Sequence, residues 1–247
     1  FLEMDHNGKG PIHINVPIEE GKLAIGTYFG ATKLPNINII ERLDRYSCEE
    51  NWRTKFESLR DKRVLIIYGQ DDHISPEVSN YVSEVSNKYN CVVAVDKLSN
   101  LSCPGTLEIS RAALCNRNVT NHKLFPDVVI SVAGNTVLDF KFDLKNSKQE
   151  FEHWLVSEQG KVADPFKRLT AIFECPIKEF FEKMSIYAPE SVTNHGYYQL
   201  WKNENNRFVI PDFQYSNLYT VKTLMKHIPK NSILHLGNST TIRIAQL

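Results

Sequence analysis

The chain has 247 residues, 42% of them hydrophobic and 23% charged, enough for one large or two small cores in a water-soluble protein. Lys plus Arg equals Asp plus Glu at 29 each, so no net field draws the chain to nucleic acid or to an acidic membrane surface. Apolar runs such as 64–67 and 128–132 are far too short to span a bilayer. The five cysteines are scattered, with no C-x-x-C pair to suggest zinc or a redox motif, and thiols spaced this way fit a reducing cytoplasm. No metal site is expected from them.

Residues 12–16 (IHINV) alternate like a short strand, bounded by Gly10, Pro11 and Pro17. Residues 21–34 carry Gly, Thr and Pro without periodicity and read as a surface linker. A compact α/β unit is predicted next. It has a helix over 47–59 with Trp52, Phe56 and Leu59 on one face, then a buried strand at 63–68 (RVLIIY). A helix over 76–89 follows, with Pro76 near its start and Tyr81, Val82, Val85 and Tyr89 as its apolar stripe. A second buried strand is expected at 91–95 (CVVAV), a helix at 105–115, and a third strand at 127–132 (DVVISV). A helix near 137–145, strands near 152–156 and 170–173, and a helix over 177–184 complete the unit.

Val- and Ile-rich strands, each followed by a helix, predict a Rossmann-like parallel sheet with helices on both faces. Ligands of such sheets sit beyond the carboxyl ends of the strands, where Gly69, Gln70, Ser99, Asn100 and Gly134 fall. After residue 185 the composition changes. Residues 194–208 are polar and aromatic, 215–227 read as a helix, and 232–237 (SILHLG) as a further buried strand that turns at Asn238 into another helix. The chain starts at Phe1 without Met and stops at Leu247 within that helix, so both ends read as cut.

Two terminal segments are the most specific. Residues 10–17 (GPIHINVP) resemble the run that closes the pyrimidine-binding domain of thiamine-diphosphate enzymes. Residues 237–247 (GNSTTIRIAQL) are similar to the start of the diphosphate-binding domain in one branch, the 2-succinyl-5-enolpyruvyl-6-hydroxy-3-cyclohexene-1-carboxylate synthases of menaquinone biosynthesis. Residues 96–105, 125–134 and 153–173 also look like that family's central domain. The resemblance implies four parts: the end of a pyrimidine domain at 1–20, a linker at 21–46, the central domain at 47–190, and a linker with the start of the diphosphate domain at 191–247.

It further implies a parent enzyme that uses thiamine diphosphate and magnesium to decarboxylate 2-oxoglutarate and pass the acyl unit to isochorismate. That parent is expected to be a cytoplasmic homo-oligomer acting on small carboxylated substrates, with no nucleic acid or membrane partner. The cofactor-activating glutamate and the GDG magnesium motif would lie in the flanking domains. No GDG triplet occurs in this sequence, so catalytic residues are expected elsewhere and this piece alone is expected to bind no cofactor and to be inactive.

Asn238, Ser239 and Arg243 match the family's GNS-x-x-x-R pattern, whose serine and arginine contact the carboxylated substrate. Four residues apart at a helix start, Ser239 and Arg243 share a face near backbone N–H groups that favour an anion. The alternative is an Asn or Ser N-cap beside a solvated arginine.

Two departures are visible. After GPIHINVP the family continues with Arg and Glu-Pro-Leu, whereas this chain has Ile18, Glu19, Glu20 and Gly21. Where the family carries a Lys-Arg pair after its third strand, this chain has Asp139 and Phe140, which cannot hold a carboxylate. A paralogue acting on another 2-oxo acid therefore stays open, as does a free-standing nucleotide-binding regulatory module.

Gly69 is a lone glycine without G-x-G-x-x-G, so its loop reads either as a phosphate turn or as a polar strand-to-helix connection. Asp71, Asp72 and His73 read as a solvated capping loop, and Ser99–Asn100 as turn chemistry or a ligand edge. His153, Trp154 and 166–168 are expected to be packing and rim residues, and His195, Tyr197, Tyr198 and Trp201 a core or subunit contact.

Overall fold

A computed structural model describes residues 39–116, 122–190, 196–209, 211 and 213–247, together with His6, Gly10, Pro11, His13 and Ile14. The chain divides into two units, Phe1–Ile39 and Ile40–Leu247. The expectations for 12–16 and 21–34 lie outside the described residues, apart from His13 and Ile14, which form no strand.

In the second unit the strands are β1 (Glu41–Asp44), β2 (Val64–Tyr68), β3 (Cys91–Val95), β4 (Thr106–Leu107), β5 (Val128–Val132), β6 (Glu152–Val156) and β7 (Leu169–Glu174). They form one parallel sheet in the order β1-β7-β6-β5-β2-β3-β4, which bears out the predicted Rossmann-like α/β class. β2 and β3 are buried at every position, as expected of strands covered on both faces.

The helices are α1 (Glu49–Glu57), α2 (Pro76–Lys88), α3 (Ser110–Asn116), α4 (Phe140–Asn146), α5 (Ile177–Ile186), α6 (Gly196–Arg207), α7 (Asn217–His227) and α8 (Thr240–Ala245). Alternate strand residues feed opposite layers, because side chains along a strand switch face at each step. Val64, Ile66 and Tyr68 of β2 join Trp52 and Phe56 of α1, Val82 of α2 and Phe180 and Phe181 of α5. Leu65 and Ile67 join Ala112 of α3, Leu144 of α4 and Tyr197 and Trp201 of α6. Local chemistry sets the helix starts: Ser75 caps α2 by accepting from the Val78 N–H at 3.4 Å, with Pro76 in its first turn.

Three expectations need correction. The helix read at 105–115 is the two-residue strand β4 followed by α3, because the backbone of 106–107 pairs with Val93 and Ala94 at the sheet edge. Residues 232–237 form no strand, and Ile233 is 87% exposed. Among the described residues no strand pairs with this segment, and an apolar run without a ladder partner leaves its N–H and C=O groups to water. The segment 194–208, read only as a change of composition, contains α6. There Tyr197 and Trp201 are buried, the Tyr197 N–H donates to Asn90 Oδ1 at 2.9 Å, and the Tyr197 hydroxyl donates to the Leu124 carbonyl at 2.7 Å.

No described helix is long and apolar enough to cross a membrane. Among the described residues Cys48, Cys91, Cys103 and Cys175 are free thiols.

Candidate functional site

The sheet order reverses between β2 and β5: the chain runs outward through β3 and β4, then returns to the other side of β2. Loops leaving two such strands diverge and open a crevice at their carboxyl ends. A cleft of about 1190 Å³ lies there. Its floor is Ile67, Ser131, Val132 and Leu155, and Gln70, Gly134 and Asn135 form its rim. Lys141 and Lys145 of α4 stand on one side, and Leu236, Asn238, Ile242 and Arg243 on another. Phe142 and Phe166 add apolar wall. Three cations face a single carboxylate, Asp164, so the cleft is basic in an otherwise neutral chain.

The predicted site residues separate into two groups. Gln70, Gly134, Asn238 and Arg243 line the cleft, whereas Gly69, Ser99, Asn100 and Ser239 do not. Gly69 and Gly134 are instead where two loops interlock. The Gln70 N–H donates to the Asn135 carbonyl at 2.8 Å, and the Gly134 N–H donates to the Gln70 carbonyl at 3.0 Å. A Cβ on Gly69 would overlap the Gly134 carbonyl oxygen, so close backbone approach accounts for the glycine without any phosphate.

Ser99 donates to the Asp96 carbonyl at 2.8 Å, and Asn100, at φ +53°, donates to the Asp71 carbonyl at 2.7 Å. The first is turn chemistry, and the second ties this loop to the one that follows β2. Asp71 accepts from the Tyr68 hydroxyl and the His73 N–H, whereas the cap of α2 expected of this loop is supplied by Ser75.

Asp96, at the end of β3, holds the place where a dinucleotide domain presents a ribose-binding carboxylate. Here the carboxylate is committed inward. It accepts from the Thr136 hydroxyl and the Val137 N–H at 2.8 Å each, and from the Leu98 N–H at 2.9 Å. It pins the loop that carries the rim of the cleft and has little left to offer a nucleotide.

Arg243 is positioned by α8. Its Nη1 donates to the Ser239 carbonyl at 2.8 Å, and its Nε lies 3.5 Å from Asp139 Oδ1. α8 has only six residues, and Ser239 caps it at φ +90° without a side-chain hydrogen bond, so the helix start adds little to anion binding. Asn238 Oδ1 accepts the Ser239 N–H at 2.7 Å, fixing that turn.

Asp139 and Phe140 do not line the cleft. Phe140 is buried, with its ring edge-on to Trp201 at 5.0 Å. Sequence reasoning missed Lys141 and Lys145. Their i, i+4 spacing puts them on one face of α4, and that spacing was the available signal.

At the floor, Ser131 Oγ lies 2.9 Å from His153 Nε2, and His153 Nδ1 lies 3.6 Å from Asp164 Oδ1. The order is that of a serine nucleophile, its base and an orienting carboxylate, but two features oppose that use. The Nδ1–Asp164 separation is beyond hydrogen-bond reach, and burial pushes the imidazole down to about 4 against a smaller opposing pull from Asp164. A base that resists protonation this strongly is a poor acceptor for a serine proton. Ser131–His153 therefore acts as packing, as expected of His153, with Phe166 edge-on to the ring at 4.9 Å.

No protein-family model matches the chain. Its whole length aligns with curated proteins named 2-succinyl-5-enolpyruvyl-6-hydroxy-3-cyclohexene-1-carboxylate synthase. That of Phocaeicola vulgatus is 31% identical over 253 residues, that of Bacteroides thetaiotaomicron 28% over 251 and that of Bacteroides fragilis 29% over 255. Each alignment covers 100% of this chain and 44% of the relative, so the chain spans under half the length of the relatives it matches. These homologues bear out the resemblance seen in the sequence.

Proposed function

We propose that this chain, homologous over its whole length to the cyclohexene-carboxylate synthases, is the central part of a thiamine-diphosphate-dependent enzyme of menaquinone biosynthesis. The whole protein would decarboxylate 2-oxoglutarate and join the resulting acyl unit to isochorismate, as a cytoplasmic homo-oligomer. Thiamine diphosphate, when bound, supplies the electron sink for that decarboxylation.

The residues described here do not fit the cofactor's metal. No group of three His, Cys, Asp or Glu among them could hold magnesium, and the sequence has no GDG triplet. We read the cofactor and its ion as held by other parts of the enzyme, and the chain by itself is expected to turn nothing over.

What this chain contributes is a carboxylate-binding wall. One observation carries the reading: Arg243, the arginine of the GNS-x-x-x-R motif, faces the same crevice as Lys141 and Lys145. A guanidinium can grip a carboxylate through two parallel N–H groups, and the lysines add point charges. Phe142 and Phe166 offer apolar surface to a carbon ring and exclude water from it. Asp139 and Phe140, in place of the family's basic pair, favour a variant carboxylated substrate as the second reading.

The test is Arg243→Gln in the whole protein. Loss of one charge-assisted contact, about 1.5–3 kcal/mol, should raise KM for the ring carboxylate roughly 10- to 100-fold. An unchanged KM would remove Arg243 from the site.

A further inference from the structure

We infer that Asp139 is a built-in counter-ion for Arg243, displaced when a carboxylated ligand enters the cleft, and thus a residue that sets specificity for such ligands. The inference rests on reading Arg243 as the carboxylate-binding cation and adds a competitor to it.

Asp139 is the residue immediately before α4, the position where an aspartate ordinarily accepts a hydrogen bond from the first turn of its helix. Its side chain makes no such bond. It lies instead 3.5 Å from Arg243 Nε, joining the start of α4 to α8 across the basic wall. The other end of the guanidinium, Nη1, is committed to the Ser239 carbonyl at 2.8 Å. The Nε edge is therefore the one a ligand carboxylate would have to share with Asp139.

The contact is built to be replaced. At 3.5 Å it is an ion pair without the short N–H···O geometry of a charge-assisted hydrogen bond. Both side chains keep access to water, at 27% exposure for Asp139 and 40% for Arg243. Lys141 and Lys145, two and six residues beyond Asp139, line the cleft and add positive charge to attract an incoming anion. A carboxylate that bonds Arg243 bidentately gains more than Asp139 loses, and a neutral ligand gains nothing from the exchange. Asp139 thereby lowers the affinity for every anion and passes only those that engage the whole guanidinium fork.

Partly exposed ion pairs are weak, so removing the competitor should strengthen binding about two- to fivefold. The experiment titrates salicylate, a ring carboxylate, and salicylamide, its neutral counterpart, into the 247-residue chain and follows amide shifts by NMR. Asp139→Asn should bind salicylate two- to fivefold more tightly than the unaltered chain, and Arg243→Gln should lose most of the binding. The double variant should match Arg243→Gln, and salicylamide should not distinguish the four proteins. Asp139→Ala provides the same readout if the asparagine finds a new partner.

Equal salicylate affinity with and without the Asp139 carboxylate overturns the inference, and so does a failure of all forms to bind salicylate. The two readings fail separately. Product formation by the whole protein with KM unaltered in Asp139→Asn removes the counter-ion and keeps the synthase. Tighter salicylate binding in Asp139→Asn, with a whole protein that makes no product, keeps the counter-ion and removes the synthase.

Discussion

Trp201→Ala should lower the unfolding free energy by about 3–5 kcal/mol, the cost of truncating a fully buried tryptophan. Trp201 is 0% exposed on α6, edge-on to Phe140 at 5.0 Å and near Tyr197 at 6.4 Å. It fills the layer between the sheet and α3, α4 and α6, together with Leu65, Val92 and Ala94. Removing it leaves a void that Phe140 and Tyr197 cannot close, because Phe140 is anchored by α4 and the Tyr197 hydroxyl is held by the Leu124 carbonyl. Urea denaturation followed by circular dichroism measures the change. A loss under about 1 kcal/mol would mean that α6 is an appendage of the sheet and not part of its second layer.

His153 predicts a distinct acid sensitivity. Its folded value, about 4, lies below the ordinary 6.5 because burial disfavours the imidazolium. Between those values the unfolded chain takes up a proton that the folded chain refuses, so stability falls as pH drops from 6.5 toward 4. Below about 4 the folded imidazole also protonates and the contribution levels off; above 6.5 it is fully present. The separation corresponds to about 3 kcal/mol across the window. Carboxylates held by partners, such as Asp127 under Arg63, lose stability in the same direction at lower pH. The His153 share is isolated by comparison with His153→Gln, which should lack this slope while keeping the carboxylate one. Parallel pH profiles for the two proteins would show that His153 is not held neutral by burial.

The central strands were legible because being covered on both faces demands near-continuous runs rich in Val and Ile, and VLIIY, CVVAV and VVISV supply them. β1 was not legible. ERLD is an edge strand with only Leu43 buried, and its charges meet water, Lys55 and Glu174. SILHLG failed in the opposite direction, since hydrophobic content reveals a wish to be buried and not whether a ladder partner is present. α6 hid behind Asn203, Glu204, Asn205 and Asn206, although Tyr197 and Trp201 at i, i+4 carried its buried face.

Of the residues tied to a strand end or a motif, Gln70, Gly134, Asn238 and Arg243 line the cleft, whereas Gly69 and Ser239 do not. Ser99 and Asn100 sit at a strand end too, yet Ser99 turns back on its own loop and Asn100 reaches across to the Asp71 carbonyl, which spacing alone does not reveal. Lys141 and Lys145 reach the cleft because Asp96 anchors Thr136 and Val137 and so sets where α4 begins, a tertiary fact invisible to a linear pattern. The Asp139–Arg243 approach, across about a hundred residues of chain, is of the same kind.

The most direct measurement is turnover by the whole protein that carries this chain, with 2-oxoglutarate, isochorismate, thiamine diphosphate and magnesium, read as the succinylated cyclohexene product. The account predicts product whose formation requires the cofactor and falls sharply in Arg243→Gln. Decarboxylation without transfer to isochorismate, or no reaction from a folded protein, would contradict it.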